Sequence, residues 1–374
     1  TRATIEPWKR FKINFSGTRS LTTNDNYFYQ IDSTVAKKYR EDTRVKTQTF
    51  SISTNTFKTS FSKTQTNQGS NAYKQMLNNR FIIAKRLAEQ NIHWNGQVDP
   101  TTSFPEGYSA QHHEVLLYAF LSAYRGQNPQ NIQINSTQTP GSTKGFFPSI
   151  PIPDWRFNYN GLKKIPIVKK YFRSISLGHA YKSTLSINGV QNNIEFDGTG
   201  ETNALDDFET NIDFFNVDVS IKETFSPLAK VDMKFHNSIL AKMEVKKART
   251  VNLIARTPQV VENNTWDFII GGGYTIKDLI IPNVEIKGRR LQSDLNLRVD
   301  VSVKSTRITM LTIDGDGQTT NGGLITAIKV SGDYKISDKV TARAFYDQTI
   351  NNPYITMSFP SSTSKGGVSI RFTL

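Results

Sequence analysis

The chain has 374 residues, a formal net charge of +14, no cysteine, and an apolar fraction of 37%, below the roughly 45–50% usual for soluble globular chains. Mean hydropathy is -0.46 and no run of about 18 apolar residues occurs, so no helix can cross a membrane; without cysteine there is no disulfide framework and no thiolate metal site. Yet 23 Phe, 14 Tyr and 4 Trp supply large apolar surfaces, which excludes a disordered chain and suits strands that are apolar on one face only.

In chain order, the first regular pattern is Phe11, Ile13 and Phe15 against Lys12, Asn14 and Ser16, the two-residue period of a strand. Residues 1–70 read as strands. Residues 71–150 break the pattern. Met76, Leu77, Phe81, Ile82, Leu87 and Ala88 recur at helical spacing over 71–90, and Val115, Leu116, Ala119, Phe120 and Ala123 do so over 113–125, with Gly126 as a stop. Pro100, Pro105, Pro129, Pro140 and Pro148, followed by Pro151 and Pro153, interrupt the rest. A loop this long folds on its own, so a helical insertion is expected at a pore mouth or in the lumen, outside any hydrocarbon layer.

Strands resume over 151–374. Trp155, Phe157 and Tyr159 alternate, and then residues 161–172 pair apolar with basic side chains, as on a short interfacial helix or an ordinary amphipathic turn. Ile175, Leu177, His179, Tyr181, Leu185 and Ile187 share a face, as do Phe215, Val217, Val219 and Ile221. Asn237-Ser238 reads as a tight hairpin turn, and Ser337-Asp338-Lys339 as another. Longer polar stretches at 189–213 and 314–323 alternate with these turns.

The strictest alternation places Leu295, Leu297, Val299, Val301 and Val303 opposite Asp294, Asn296, Arg298, Asp300 and Lys304. Thr326, Ile328 and Val330 stand opposite Lys329, Ser331 and Asp333, and Val368, Ile370, Phe372 and Leu374 opposite Ser369, Arg371 and Thr373. Several runs exceed ten residues, against about 5–6 in globular strands. About a dozen such strands predict an all-β, antiparallel transmembrane β-barrel segment, with the helical insertion, ending in a closing C-terminal strand. In that arrangement Asp294, Asn296, Arg298, Asp300, Lys304, Lys329, Asp333 and Arg371 face a lumen. Leu295, Leu297, Val299, Val301, Val303, Val368, Ile370 and Phe372 face lipid.

Nothing in the sequence nominates a catalytic site. His112-His113-Glu114 lacks metal-ligand spacing, Asp314-Gly315-Asp316-Gly317 lacks the closing Glu of a calcium loop and reads as a flexible surface loop, and Gly271-Gly272-Gly273 lacks a phosphate-loop Lys. No enzyme, cofactor or metal is expected. The Lys and Arg residues are spread at alternate strand positions instead of clustered with aromatics, so no nucleic-acid partner is expected. The chain begins at Thr1 without Met and reads as a mature chain or a fragment.

An ordered set of motifs resembles a known family. Pro153-Asp154-Trp155-Arg156-Phe157-Asn158-Tyr159-Asn160-Gly161-Leu162 with Lys163-Lys164-Ile165-Pro166 comes first, then Leu177-Gly178-His179-Ala180-Tyr181-Lys182-Ser183-Thr184 and Phe225-Ser226-Pro227-Leu228. Lys246-Lys247-Ala248-Arg249-Thr250, Gly288-Arg289-Arg290-Leu291-Gln292-Ser293-Asp294-Leu295-Asn296-Leu297-Arg298, Ser358-Phe359-Pro360 and Ile370-Arg371-Phe372-Thr373-Leu374 follow. Asn79-Arg80 and Tyr118-Ala119-Phe120-Leu121-Ser122-Ala123-Tyr124 of the insertion fit too. Together they resemble the C-terminal part of the SprA (Sov) family, the giant outer-membrane translocons of the type IX secretion system, also required for gliding motility. The resemblance implies one very large single-chain barrel, of the order of 36 strands, that passes folded cargo proteins across the bacterial outer membrane. It implies as partners the remainder of that barrel, a PorV-like barrel, a Plug-like protein, a periplasmic peptidyl-prolyl isomerase, secreted cargo proteins and membrane lipids. The other readings of the residues are a self-contained outer-membrane porin or solute transporter barrel, and a soluble β-sandwich adhesin.

Overall fold

A computed structural model describes residues 1–32, 38–65, 67–91, 94–134, 149–192, 212–213, 217–286, 289–337, 339–355 and 358–372. The strands before the insertion are β1 (Arg2–Trp8), β2 (Phe11–Ser16), β3 (Arg19–Asp32) and β4 (Lys38–Ser53). The insertion holds the short pair β5 (Thr64–Gln65) and β6 (Gly69–Ser70), then α1 (Asn71–Gln90) and α2 (His113–Tyr124). After it come β7 (Asp154–Tyr159), α3 (Pro166–Tyr171), β8 (Phe172–Asn192) and the two-residue β9 (Ile212–Asp213). The run closes with β10 (Asp218–Phe235), β11 (Ile239–Ile254), β12 (Gln259–Ile286), β13 (Arg289–Thr312), β14 (Gly317–Ser337), β15 (Val340–Pro353) and β16 (Ser361–Phe372). Fourteen of these strands form one antiparallel sheet, more than the dozen expected. From β10 onward each strand pairs with the next in sequence, as hairpin connections dictate. Among the described residues the sheet ends in β1 and β3 on one side and β16 on the other, and β16 is exposed along its whole length.

Local chemistry sets the element ends. Ser70 caps α1, its hydroxyl accepting from Tyr73 N at 3.2 Å. α2 stops at Gly126, which takes φ +63, while Gln127 N donates to Ser122 O at 2.8 Å, closing the last turn as the left-handed residue of a helix C-terminus does. Both helices thus lie where their periodicity places them. Ser238 turns the β10–β11 hairpin at φ +66. The stretch 314–323 is not all loop: β14 begins at Gly317. Of the stretch 189–213, residues 193–211 lie outside the described residues, as do 135–148 of the insertion, Phe215, Asn216, Asp338 and the terminal Thr373 and Leu374.

The insertion begins earlier than residue 71. Main-sheet pairing ends at Ser53, and β5–β6 form a separate two-stranded sheet. β4 and β7 both pair antiparallel with β8, Ser53 opposite Thr184 and Trp155 opposite Tyr181, so β7 continues the line of β4. Residues 54–153 therefore leave from the middle of one long strand position and return to it. The join is sealed by Ile152 N donating to Ser53 O at 3.0 Å and by Asp154, which accepts from Ser183 N at 2.9 Å and from Ser53 Oγ at 3.3 Å. β2 and β3 form a second line broken at Gly17-Thr18, where Ser53 N donates to Thr18 O at 2.9 Å.

The register divides the sheet into two faces. One cross-strand row on the polar face runs Asp232, Lys242, Gly271, Asp300, Lys329, Asp347, Lys365, alternating in sign from β10 to β16 with a glycine at β12. A β-carbon at Gly271 would meet the Asp300 carboxylate, which would have to turn aside. Opposite charges placed directly across from each other contribute roughly 0.2–1 kcal/mol per pair, and like charges cost as much. Lys329→Asp would put three acids in a line and is expected to lower unfolding stability by about 1–2 kcal/mol. Lys339→Asp, in the adjacent turn, is the control. Equal effects of the two in denaturant unfolding would overturn the row's role.

Candidate functional site: a two-faced sheet and its docked insertion

The feature that organises this structure is a surface with levels. Register brings the sequence-predicted apolar set onto one face: Leu297, Gly332, Ala344 and Val368 form one row across β13 to β16, and Leu295, Val299, Val301, Val303, Ile370 and Phe372 share that face. Asp294, Asn296, Arg298, Asp300, Lys304, Lys329, Asp333 and Arg371 lie on the opposite face. There Lys242 and Lys246 pair with Glu244 at 2.9 and 3.6 Å, Lys230 pairs with Asp232 at 2.8 Å, and Arg343 with Asp333 at 3.7 Å.

Four levels follow one another along the apolar face. The first is exposed: Met243, Phe268, Ile270, Leu297, Val299, Val330, Tyr346, Val368 and Ile370 all show large apolar area. The second is aromatic. Trp155, Tyr181, Phe225 and Trp266 lie along it, and Phe57 and Phe61 of the insertion rest on them, with ring centroids 5.4–6.3 Å apart. The third is polar: Ser183, Glu223, Arg249, Asn264 and Arg307 are successive partners across five strands. The fourth is apolar again and buried, with Leu185, Ile187, Val219, Ile221, Val251, Leu253, Val260 and Leu311 packed against α1 and α2.

The polar level is where the insertion is fastened. Glu223, 1% exposed, accepts from Thr56 Oγ1 and Ser60 Oγ at 2.6 Å each and from Tyr181 OH at 3.1 Å, and faces Arg249 Nε at 3.3 Å. Arg249, 4% exposed, donates to Thr59 O at 2.7 Å and Thr59 Oγ1 at 3.0 Å. Lys247 donates to Ser60 O with its Nζ 4.0 Å from the Phe61 ring centroid and 5.1 Å from that of Trp266. One row further on, Glu262 accepts from Ser70 Oγ at 2.5 Å, Ser70 N at 3.1 Å and Tyr124 OH at 2.7 Å. At the far edge Arg80 holds Asp314 through two contacts of 2.7 Å, which keeps that carboxyl below its ordinary range. Asp314 is therefore an anchor and not part of a free surface loop. Tyr73 OH adds a bond of 3.1 Å to Thr312 O.

Sequence reasoning missed Glu223, Lys247, Arg249 and Glu262. Each sits at the apolar parity of its strand, between Ile221 and Phe225, Val245 and Val251, or beside Val260, and a charge in that phase was the available signal. The insertion packs on the apolar-face side of the sheet and not on its charged face. Inside the insertion, burial pushes the Glu114 carboxyl up to about 7 and the His112 imidazole down to about 4, with His113 adding repulsion to the latter. No family model matches the chain, and no curated protein matches it.

Two outcomes are expected. Removing one member of a buried pair costs about 3–5 kcal/mol, whereas replacing both by apolar groups costs far less. Glu223→Gln should therefore expose the insertion to protease, and Glu223→Leu with Arg249→Met should do so less than the sum of the single changes. Additive losses in that cycle would show that the two side chains are not coupled. The second outcome concerns pH. Glu114 binds its proton more tightly folded, at about 7 against the ordinary 4.5, so its contribution to stability falls as pH rises through that window and is gone above it. His112, at about 4 against 6.5, loses stability as pH falls through its own window, so the two oppose below 6.5 and only the glutamate acts above. Glu114→Gln should abolish any loss of insertion protection between pH 6.5 and 8 in hydrogen exchange; an unchanged slope would refute the assignment.

Proposed function

We propose that this chain is part of the wall of a bacterial outer-membrane β-barrel, its exposed apolar level facing lipid and its charged face lining a water-filled lumen. The observation that carries this reading is the height of the exposed level between two aromatic rows. The far row is Trp155, Tyr181, Phe225 and Trp266; the near row is Phe172 and Phe235, with rings 4.6 Å apart, together with Tyr274. Phe172 to Tyr181 is nine residue steps along β8, about 30 Å at ~3.3 Å per residue. With strands tilted by about 40° this stands roughly 23 Å tall, against ~25 Å for the apolar band of outer-membrane barrels, which is also bordered by aromatics. A soluble sandwich would cover such a face with a second sheet, because exposed apolar patches beyond a few hundred Å² are rare.

The wall belongs, in this reading, to a protein-conducting translocon of the type IX secretion kind that passes folded cargo and also serves gliding motility. The ordered SprA-family motifs support it. So do the edges: β1, β3 and β16 each have one neighbour among the described residues, which favours a larger barrel completed by further strands over a self-contained porin. The PorV-like barrel, the Plug-like protein, the periplasmic isomerase and the cargo are partners under the same proposal.

The absence of cysteine allows single reporters. Arg298→Cys should react with a membrane-impermeant maleimide in the native envelope, and Val299→Cys should not. Equal labelling of both would sink the lipid-facing assignment.

A further inference from the structure

The exposed apolar level is bordered by the insertion at one end only. At the other end the described connections Lys9-Arg10 and His236 to Ser238 are short turns, and the link from β7 to β8 is longer. That link folds as a single helical turn at Leu162–Lys164 followed by α3, and its composition does not fit a turn in water. Lys163, Lys164, Lys169 and Lys170 are exposed, and Ile165, Ile167 and Tyr171 among them are also exposed, Ile167 by 72%. Trp8, 59% exposed, stacks on Phe11 at 4.7 Å in the hairpin next to it.

This segment is held in place. Asn160 N donates to Arg10 O at 3.1 Å, tying it to the β1–β2 turn, and the Lys169 carbonyl lies 3.0 Å from His236 Nε2 in the β10–β11 turn. Phe172, where it joins β8, packs on Phe235. Lys9, Arg10 and Arg173 add three more cations to the four lysines. Glu6 sits in the same turn, its carboxylate accepting from Arg10 N at 2.8 Å.

We infer that residues 162–173, with the Lys9-Arg10 turn, form a binding site for the phosphate headgroups of anionic phospholipid in the leaflet that touches the short-turn end of the sheet. Exposed isoleucines and a tyrosine at the edge of an apolar band lie at the depth of the upper acyl chain, and lysines beside them reach the phosphates. Clustered cations next to a membrane surface draw anionic lipid over zwitterionic lipid, with an attraction that falls off within a Debye length. Short turns mark the periplasmic end of outer-membrane barrels, so the ligand is a phospholipid such as phosphatidylglycerol. The inference rests on the membrane reading above.

The experiment is reconstitution of the complete barrel that contains this chain, extracted in detergent from its native membrane, into vesicles of phosphatidylcholine with and without phosphatidylglycerol, followed by native mass spectrometry of the retained lipids. The wild type should retain phosphatidylglycerol at least severalfold over phosphatidylcholine. That preference should vanish in Lys163→Gln/Lys164→Gln/Lys169→Gln/Lys170→Gln and persist in Lys85→Gln, an exposed lysine of the insertion. High salt should weaken it, and inorganic phosphate at equal concentration should not. Equal retention of the two lipids by the wild type, persistence in the quadruple variant, or displacement by inorganic phosphate would each overturn the site while leaving the membrane reading intact. A complete barrel that enters neither kind of vesicle would overturn both.

Discussion

A buried charge must meet a partner, and the architecture follows from how this chain meets that demand. Glu223, Arg249, Lys247 and Glu262 project from the apolar side of the sheet, where neither lipid nor an apolar core could accept them. Beyond the Glu223–Arg249 pair and the Tyr181 hydroxyl of β8, their partners come from the insertion: hydroxyls of Thr56, Thr59 and Ser60, carbonyls of Thr59 and Ser60, the Ser70 cap and the Tyr124 phenol. Sheet and insertion thus supply each other's missing groups. Ser70 shows the economy of this: one side chain caps α1 and donates to Glu262, so the start of the helix is located by the sheet it docks on.

That demand also accounts for the insertion's departure from the middle of a strand position. Had the excursion left from the strand end, its first turn would begin beyond the polar level, and Glu223 and Arg249 would face open solvent or lipid. By leaving at Ser53 the chain lays Thr56 to Ser60 directly across them, and by re-entering at Asp154 it lets β8 keep a paired neighbour along almost its full length. Phe57 and Phe61 then fall on the aromatic level below, so one short turn spans two levels of the sheet.

Much of this was legible in the sequence, for a physical reason. Alternation at a period of two is a property of the strand alone, so the separation of Leu295, Leu297, Val299 and Val303 from Asp294, Arg298 and Lys304 could be read without any partner. The helix over residues 71–90 has its own cap, and the one over 113–124 its own stop. Register is different. The row from Asp232 to Lys365 exists only because six strand pairs align, and no local signal fixes those alignments. The same holds for the interrupted strand, since β4 and β7 are made collinear by their common partner β8. The charges on the apolar parity were visible, but their meaning depends on residues about 140 to 190 positions away in the chain.

The side on which the insertion docks decides what the charged face is free to do. Its anchors, from Tyr181 and Glu223 to Glu262 and Asp314, all belong to the apolar-face side or to the strand ends beyond it. The row Asp232, Lys242, Asp300, Lys329, Asp347 and Lys365 is left uncovered by it. If the sheet walls a pore, then this large folded excursion braces the wall from outside, above the lipid, and does not plug the passage. A wall with long strands and open edges gains stiffness from such a brace where it no longer has lipid against it. On this reading the charge-alternating row of the opposite face stays free of the insertion and open to water.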